Sequence, residues 1–392
     1  MRSTWDSTSE STDAVLYLDH AATSPVRPEV RAAMEPYLTA VFGNPASHHT
    51  AGEAAARALE DARARVAGVL GMRPGDIVFT SGGTEANNLA VKGLVLGALT
   101  AGRRHLVVSP IEHESILESA AYLARFHDVA VTAVPVDPRG RITPEALTAA
   151  IRPDTALVTL GHANNEIGTV QDAAALGAVA RSLGIPLHLD AVQSAGWLPL
   201  HGLGADALSL AGHKLGAPKG TGALAVRGRL PLEPVLHGGG QERGRRSGTA
   251  DVAGAVGLAT ALELAEQERA ATSARVGAAT AAFVAEVQRL VPEAELTGDP
   301  VHRLPGSASF TFAGVSGEAV LLELERRGVI SSSGSACAAG SDEPSHVLLA
   351  CGIAPAVAQT SVRFTFARTP LPADVAVRLA TLVAAAVEAV RG

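Results

Sequence analysis

From about residue 50 to residue 230, short apolar runs alternate with Ala-, Leu- and Arg-rich segments of helical period. The runs include IVF (77–79), HLVVS (105–109), ALVTL (156–160) and PLHLDAV (186–192). Alternation of this kind predicts an α/β fold in which helices cover a parallel, doubly wound sheet. In such a sheet the polar residues just past the C-terminal ends of the strands line the ligand crevice. Chemistry is therefore expected along that one edge.

A Gly- and Arg-rich stretch, HGGGQERGRRSGTAD (237–251), interrupts the alternation and reads as an ordered loop. Residues 252–290 then have the Ala/Leu/Glu/Arg composition of one long helix or two in tandem. Beyond them SASFTF, a helix over about 317–327, GVISSSGSAC and SVRFTF give a mixed pattern, which predicts a smaller α+β domain. With 392 residues, 47% hydrophobic and 18% charged, the chain can bury a large core, and its length suggests two or three domain-sized units.

A formal charge of −7 provides no basic field for a nucleic-acid backbone, so small-molecule chemistry is the expectation. No apolar run approaches the roughly 20 residues of a membrane helix, and residues 2–13 lack the apolar stretch of a signal peptide; a cytoplasmic protein is expected. The two cysteines, Cys337 and Cys351, lack the paired spacing of a zinc or redox site, and no metal is expected. Only three lysines occur, Lys92, Lys214 and Lys219, which narrows any chemistry that needs an amine.

Each strand end offers a polar group with two readings. In DIVFTSGGTEANNLAVKG a strand ends at Thr80 and a helix is expected from about Glu85. Gly83 and Thr84 lie in the turn between, where converging N–H groups suit a phosphate, or where an ordinary strand–turn–helix needs glycine. Asp190 ends PLHLD with Gln193 three residues on; it is either a helix cap or a carboxylate awaiting a cationic partner such as a protonated pyridine nitrogen. His213 and Lys214 follow ADALSLAG, and of the three lysines Lys214 is best placed for a Schiff base. His113 follows HLVVS and could transfer protons or stack on a flat ring, or simply start a helix. Asn164, Asn165 and Glu166 follow ALVTL, where amides orient a ligand oxygen or satisfy a turn. Cys337 sits among Ser, Gly and Ala, unlike a buried structural cysteine, so a reactive thiol is expected; Cys351, in HVLLACGI, reads as a core or helix-end residue.

In chain order, LDHAATSPV, FGNPASHH, FTSGGTEANN, EHES, NNEIG, LDAVQS, GHKLGAPKG, GGGQERGRRSGT, SSGSAC and EPSHVL resemble the cysteine desulfurases of the fold-type I pyridoxal-phosphate enzymes, the class V aminotransferase group. The resemblance runs from about Leu16 to the C-terminus. It implies a fold-type I transferase with a large cofactor-binding domain (26–265) built on a mostly parallel seven-stranded sheet, and a smaller α+β domain (1–25 and 266–392) carrying the cysteine loop.

The resemblance further implies pyridoxal 5'-phosphate as cofactor and L-cysteine as substrate. Lys214 is then the Schiff-base lysine, Asp190 the partner of the pyridine nitrogen, and His113 the group over the ring. Gln193 and Asn165 lie near the ring oxygen, while Gly83, Thr84 and His213 meet the phosphate. Thr249 reaches the phosphate of a neighbouring subunit in a homodimer, Arg363 holds the substrate carboxylate, and Cys337 accepts the sulfur as a persulfide. In the implied reaction Lys214 takes the Cα proton, the Cys337 thiolate attacks the substrate sulfur, and His113 shuttles a proton as alanine forms. The sulfur passes on to an acceptor protein, of iron–sulfur assembly or of tRNA thiolation. A selenocysteine lyase or another C–S lyase of the same fold is the alternative, keeping Lys214 and Asp190 without depending on Cys337. Two positions depart from the pattern: Ala211, where relatives often carry a phosphate-binding Ser, and His20, where they often carry Tyr.

Overall fold

A computed structural model describes residues 15–333, 343–369 and 373–392. Its strands, in chain order, are β1 (Leu16–Tyr17), β2 (Ile77–Thr80), β3 (His105–Val108), β4 (Ala130–Ala133), β5 (Thr155–Gly161), β6 (Leu187–Asp190), β7 (Ala207–Ala211), β8 (Gly222–Val226), β9 (Ala294–Leu296), β10 (Ser307–Phe312), β11 (Val329–Ile330) and β12 (Ser361–Thr365). Strands β2 to β8 form one seven-stranded sheet in the order β2-β8-β7-β6-β5-β3-β4. All its strands run the same way except β8, which is antiparallel to both of its neighbours.

Alternate residues of one strand enter opposite cores, as the two-residue period of a pleated strand requires. Val107 joins one cluster while Leu106 and Val108 join the other; Ala223 and Ala225 are likewise separated from Leu224 and Val226. Burial on both faces explains why these strands read as continuous apolar runs. Register then aligns the ends that matter. Gly161 pairs with Asp190 and Asp190 with Ser209, so the C-terminal ends of β5, β6 and β7 open on one edge.

A second core gathers around the antiparallel sheet β9-β10-β12 and the parallel pair β1-β11. Phe283 sits at its centre, with its ring edge-on to Phe310, Phe364 and Phe366 at 5.2–6.0 Å between centroids. The stretch expected as one helix or two is a single helix of 39 residues, Val252–Leu290, capped by Asp251, whose side chain accepts from Gly254 N. Its buried residues up to Ala265 pack in the large sheet's core, and those from Val276 onward pack in the second. The helix expected from about Glu85 starts at Gly83: Ala86 N already donates to the Gly82 carbonyl at 3.0 Å, and the Glu85 carboxylate reaches back to accept from Ser81 N. The small-domain helix is Gly317–Arg326.

Candidate active site

The strand ends and the loops that follow them enclose a cavity of about 260 Å³. Gly83, Thr84, His113, Asn165, Asp190, Gln193, His213 and Lys214, all expected at the site, line it. The ends of five strands, β2, β3, β5, β6 and β7, and the connections after them supply these residues, as the crevice of a doubly wound sheet predicts. Lys214 ends a short 3₁₀ turn, Gly212–Lys214, directly after β7. Its ammonium donates to the main-chain carbonyls of Ala22, at 2.8 Å, and of Ala21. Gln193 Nε2 donates to the same Ala21 carbonyl at 3.1 Å, and His213 Nδ1 lies 3.2 Å from Thr23 Oγ1. The segment after β1 therefore crosses from the second core to grip the lysine loop.

Asp190 is buried at the end of β6. One oxygen accepts from Val192 N at 2.9 Å and the other from Asn87 Nδ2 at 2.7 Å. Asn87 also donates to Ser115 Oγ, and Ser115 in turn meets His113, which caps the helix Glu114–His127. Buried Glu112 also lines the cavity; loss of water and the nearby Asp190 charge push its carboxyl up to about 8, so near neutral pH it is largely protonated. Burial, with Lys214 and Lys219 close by, pushes His213 down to about 4, leaving it neutral.

The cavity suits a small phosphorylated pyridine. A buried carboxylate faces it, an amine borders it, and the turn at Gly83 leaves no room for a side chain: a Cβ there would meet Val192 Cγ2 at 2.8 Å and Ala211 Cβ at 3.3 Å. The turn can thus pack directly on Val192 and Ala211 at the cavity wall, which is the use of glycine where the main chain must approach closely.

Two expected residues lie elsewhere. Thr249 is exposed in a separate cleft of about 120 Å³. Arg363, on β12, is buried; it pairs with Asp19 at 2.7 Å and donates to the Asn165 carbonyl at 2.8 Å. Cys337 falls outside the described residues. On either side of 334–342 the chain is fastened to the site: Ser332 pairs with Arg363 through the main chain, Ser345 Oγ donates to Glu166, and His346 Nε2 donates to the Glu112 carbonyl at 3.0 Å. Asn164 serves its turn, accepting from Glu166 N and Ile167 N. Cys351 is a buried helix-end residue whose thiol is pushed up to about 11 by burial and by Asp137 and Glu166 nearby.

The sequence reading assigned no role to Asn87, Glu112 or Ser115, nor to the Ala21 and Ala22 carbonyls. For Asn87 the signal was helical phase: it shares the buried face with Ala86, Ala90 and Val91, whereas Asn88 turns out to Lys92.

The aminotransferase class-V family model matches residues 16–377. The chain is 43% identical over 382 residues to the IscS-like cysteine desulfurase of Mycobacterium tuberculosis, covering 96% of this chain and 97% of the relative. Among solved structures it is similar to a NifS-like protein, with a TM-score of 0.87, 32% identity, and coverage of 95% of this chain and 98% of that one. It is also similar to SspA in complex with cysteine, with a TM-score of 0.78, 36% identity, and coverage of 91% of this chain and all (100%) of that one.

Proposed function

The chain belongs to the aminotransferase class-V family, and from that premise we propose how its residues divide the work of a pyridoxal-phosphate-dependent cysteine desulfurase, which converts L-cysteine to L-alanine. The observation that carries this division is the convergence of Lys214, Asp190, His113, Gln193 and Asn165 on one cavity of about 260 Å³.

Pyridoxal phosphate, when bound, supplies an electron sink for the carbon that loses its proton. Lys214 would hold the cofactor and, once released, take that proton; the Ala21 and Ala22 carbonyls hold its amine at the cavity wall. Asp190, fixed by two donors, would keep the ring nitrogen protonated. Gln193 and Asn165 would orient the ring oxygen. Gly83, Thr84 and neutral His213 would receive the phosphate through N–H and O–H groups, and Thr249 would reach the phosphate in a partner subunit, making the working unit a homodimer. Arg363 would bind the substrate carboxylate in place of Asp19, its present ion partner. His113 would pass a proton as alanine forms.

Cys337 would take the sulfur as a persulfide and deliver it to an acceptor protein, of iron–sulfur assembly or of tRNA thiolation, in the cytoplasm. The tethers of Ser332, Ser345 and His346 to the site support that placement of its segment. Among the described residues no helix is long and apolar enough to cross a membrane. The test is to incubate the protein with pyridoxal phosphate, L-cysteine and a reductant and to quantify alanine and sulfide together, alongside Cys337→Ala. Equal yields that vanish in the variant are expected. A variant as active as the wild type would remove Cys337 from the reaction.

A further inference from the structure

The cavity contains a polar connection that runs from Asp190 to His113, and its middle residues, Asn87 and Ser115, have no role of their own in the reaction above. Asn87, 2% exposed, donates one amide hydrogen to Asp190 Oδ2 at 2.7 Å and the other to Ser115 Oγ at 2.9 Å. Chemistry fixes the orientation of the amide, because the reverse would set its oxygen against a carboxylate. Ser115 Oγ lies 2.8 Å from His113 Nδ1, and Ser115 N donates to the same nitrogen at 3.0 Å. A main-chain N–H can only donate, so Nδ1 is the ring nitrogen without the proton, and neutral His113 carries its hydrogen on Nε2. The Ser115 hydroxyl, already accepting from Asn87, completes the chain by donating to Nδ1.

Asn87 Oδ1 is buried without a hydrogen-bond partner among the described residues. An apolar residue of the same shape would avoid that unfavourable burial, so the side chain earns its place through its two donors.

We propose that Asn87 and Ser115 are positioning residues: one amide holds the Asp190 carboxylate and, through the Ser115 hydroxyl, fixes the His113 ring in its Nε2–H form. The roles of Asp190 and His113 rest on the desulfurase reading; the arrangement itself does not.

The test uses the full chain as Asn87→Ala and Ser115→Ala, with Ser115→Thr as the variant that keeps the hydroxyl. The first readout is the ¹⁵N signal of the His113 ring in protein stripped of cofactor, identified by its loss in His113→Gln. The wild type should show an unprotonated Nδ1. Both alanine variants should displace that signal, and Ser115→Thr should return it toward the wild-type position. The second readout is turnover of L-cysteine by the loaded enzyme. Both alanine variants should lower kcat about tenfold, the scale typical of residues that orient a reacting group, with KM changed less than about twofold. Ser115→Thr should recover most of the loss. A protonated Nδ1 in the wild type, or an Asn87→Ala protein with unchanged His113 signal and kcat, overturns the proposal. If the wild type makes no alanine, the desulfurase reading fails while the ring signal still decides the positioning. Should Asn87→Ala not fold by circular dichroism, Ser115→Ala decides alone.

Discussion

Ala211 ends β7 against the turn at Gly83, with its methyl group on the cavity wall. A hydroxyl there adds one donor where a phosphate is expected, and a single such bond contributes about 0.5–1.5 kcal/mol. Ala211→Ser should therefore tighten pyridoxal phosphate binding about two- to tenfold, read by titrating cofactor into stripped protein. Weaker binding would mean that the space beside Gly83 is already closed. At this scale the sequence was informative where chemistry is rare. Three lysines made Lys214 easy to single out, and Asp190 stood out as a charge at the end of an apolar strand. The carbonyls of Ala21 and Ala22 gave no sign, because every residue has a carbonyl and only tertiary structure aims it. Asn87 was hidden for a different reason: two adjacent asparagines in a helix look alike until the phase of the helix is known.

The loop 237–251 shows how one element is pinned to others. Glu242, with its side chain 4% exposed, forms a bidentate pair with Arg63, itself 3% exposed, and also accepts from Phe79 N at 2.9 Å. Both Glu242 (φ 51°) and Arg243 (φ 60°) are left-handed, a strain that persists only where the surroundings fix it. Glu242→Ala leaves a guanidinium buried without its main partner, which should cost about 3–5 kcal/mol, measured by denaturant unfolding. Adding Arg63→Ala should recover part of that loss; a single variant of wild-type stability would show that the pair is dispensable. The expectation of an ordered loop for this stretch is met, but its Arg63 anchor was illegible, since 179 residues separate the partners. Strand β8 illustrates a similar limit. GALAV is as apolar as its parallel neighbours, and only the short connection from β7, through the turn at Gly216 and Gly220 (φ 87° at both), reverses it.

On the scale of the whole molecule, buried histidines tie stability to pH. His188 lies inside the large sheet between Thr159 and Ser209 and is pushed down to about 3 by burial; His162, bonded to Ser194, is pushed down to about 4. The fold keeps both neutral, whereas the unfolded chain protonates them below about 6.5. Stability is thus complete above that pH and falls as acid is added, by up to about 1.4 kcal/mol per pH unit for each histidine, until the folded value is reached. His188→Gln should make the loss between about pH 6 and pH 4 shallower by roughly that amount for one group, measured as unfolding free energy against pH. Parallel slopes would show that His188 titrates alike in both states.

The large sheet was legible through β2, β3, β5 and β6, which are buried on both faces, whereas the edge strand β4 is largely exposed and gave no such run. The second core was read only in outline, since its short strands pair across long stretches of chain, as Leu16 does with Val329. The helix Val252–Leu290 belongs to both cores, and 39 residues at 1.5 Å each make it about 58 Å long. It acts as an axle driven through two wheels. A clamshell swing at this junction would have to break the shaft, so any rocking of one core against the other is confined to torsion about it. A protease nick or a circular permutation opened near residue 265 would sever that axle rather than clip a spare connection.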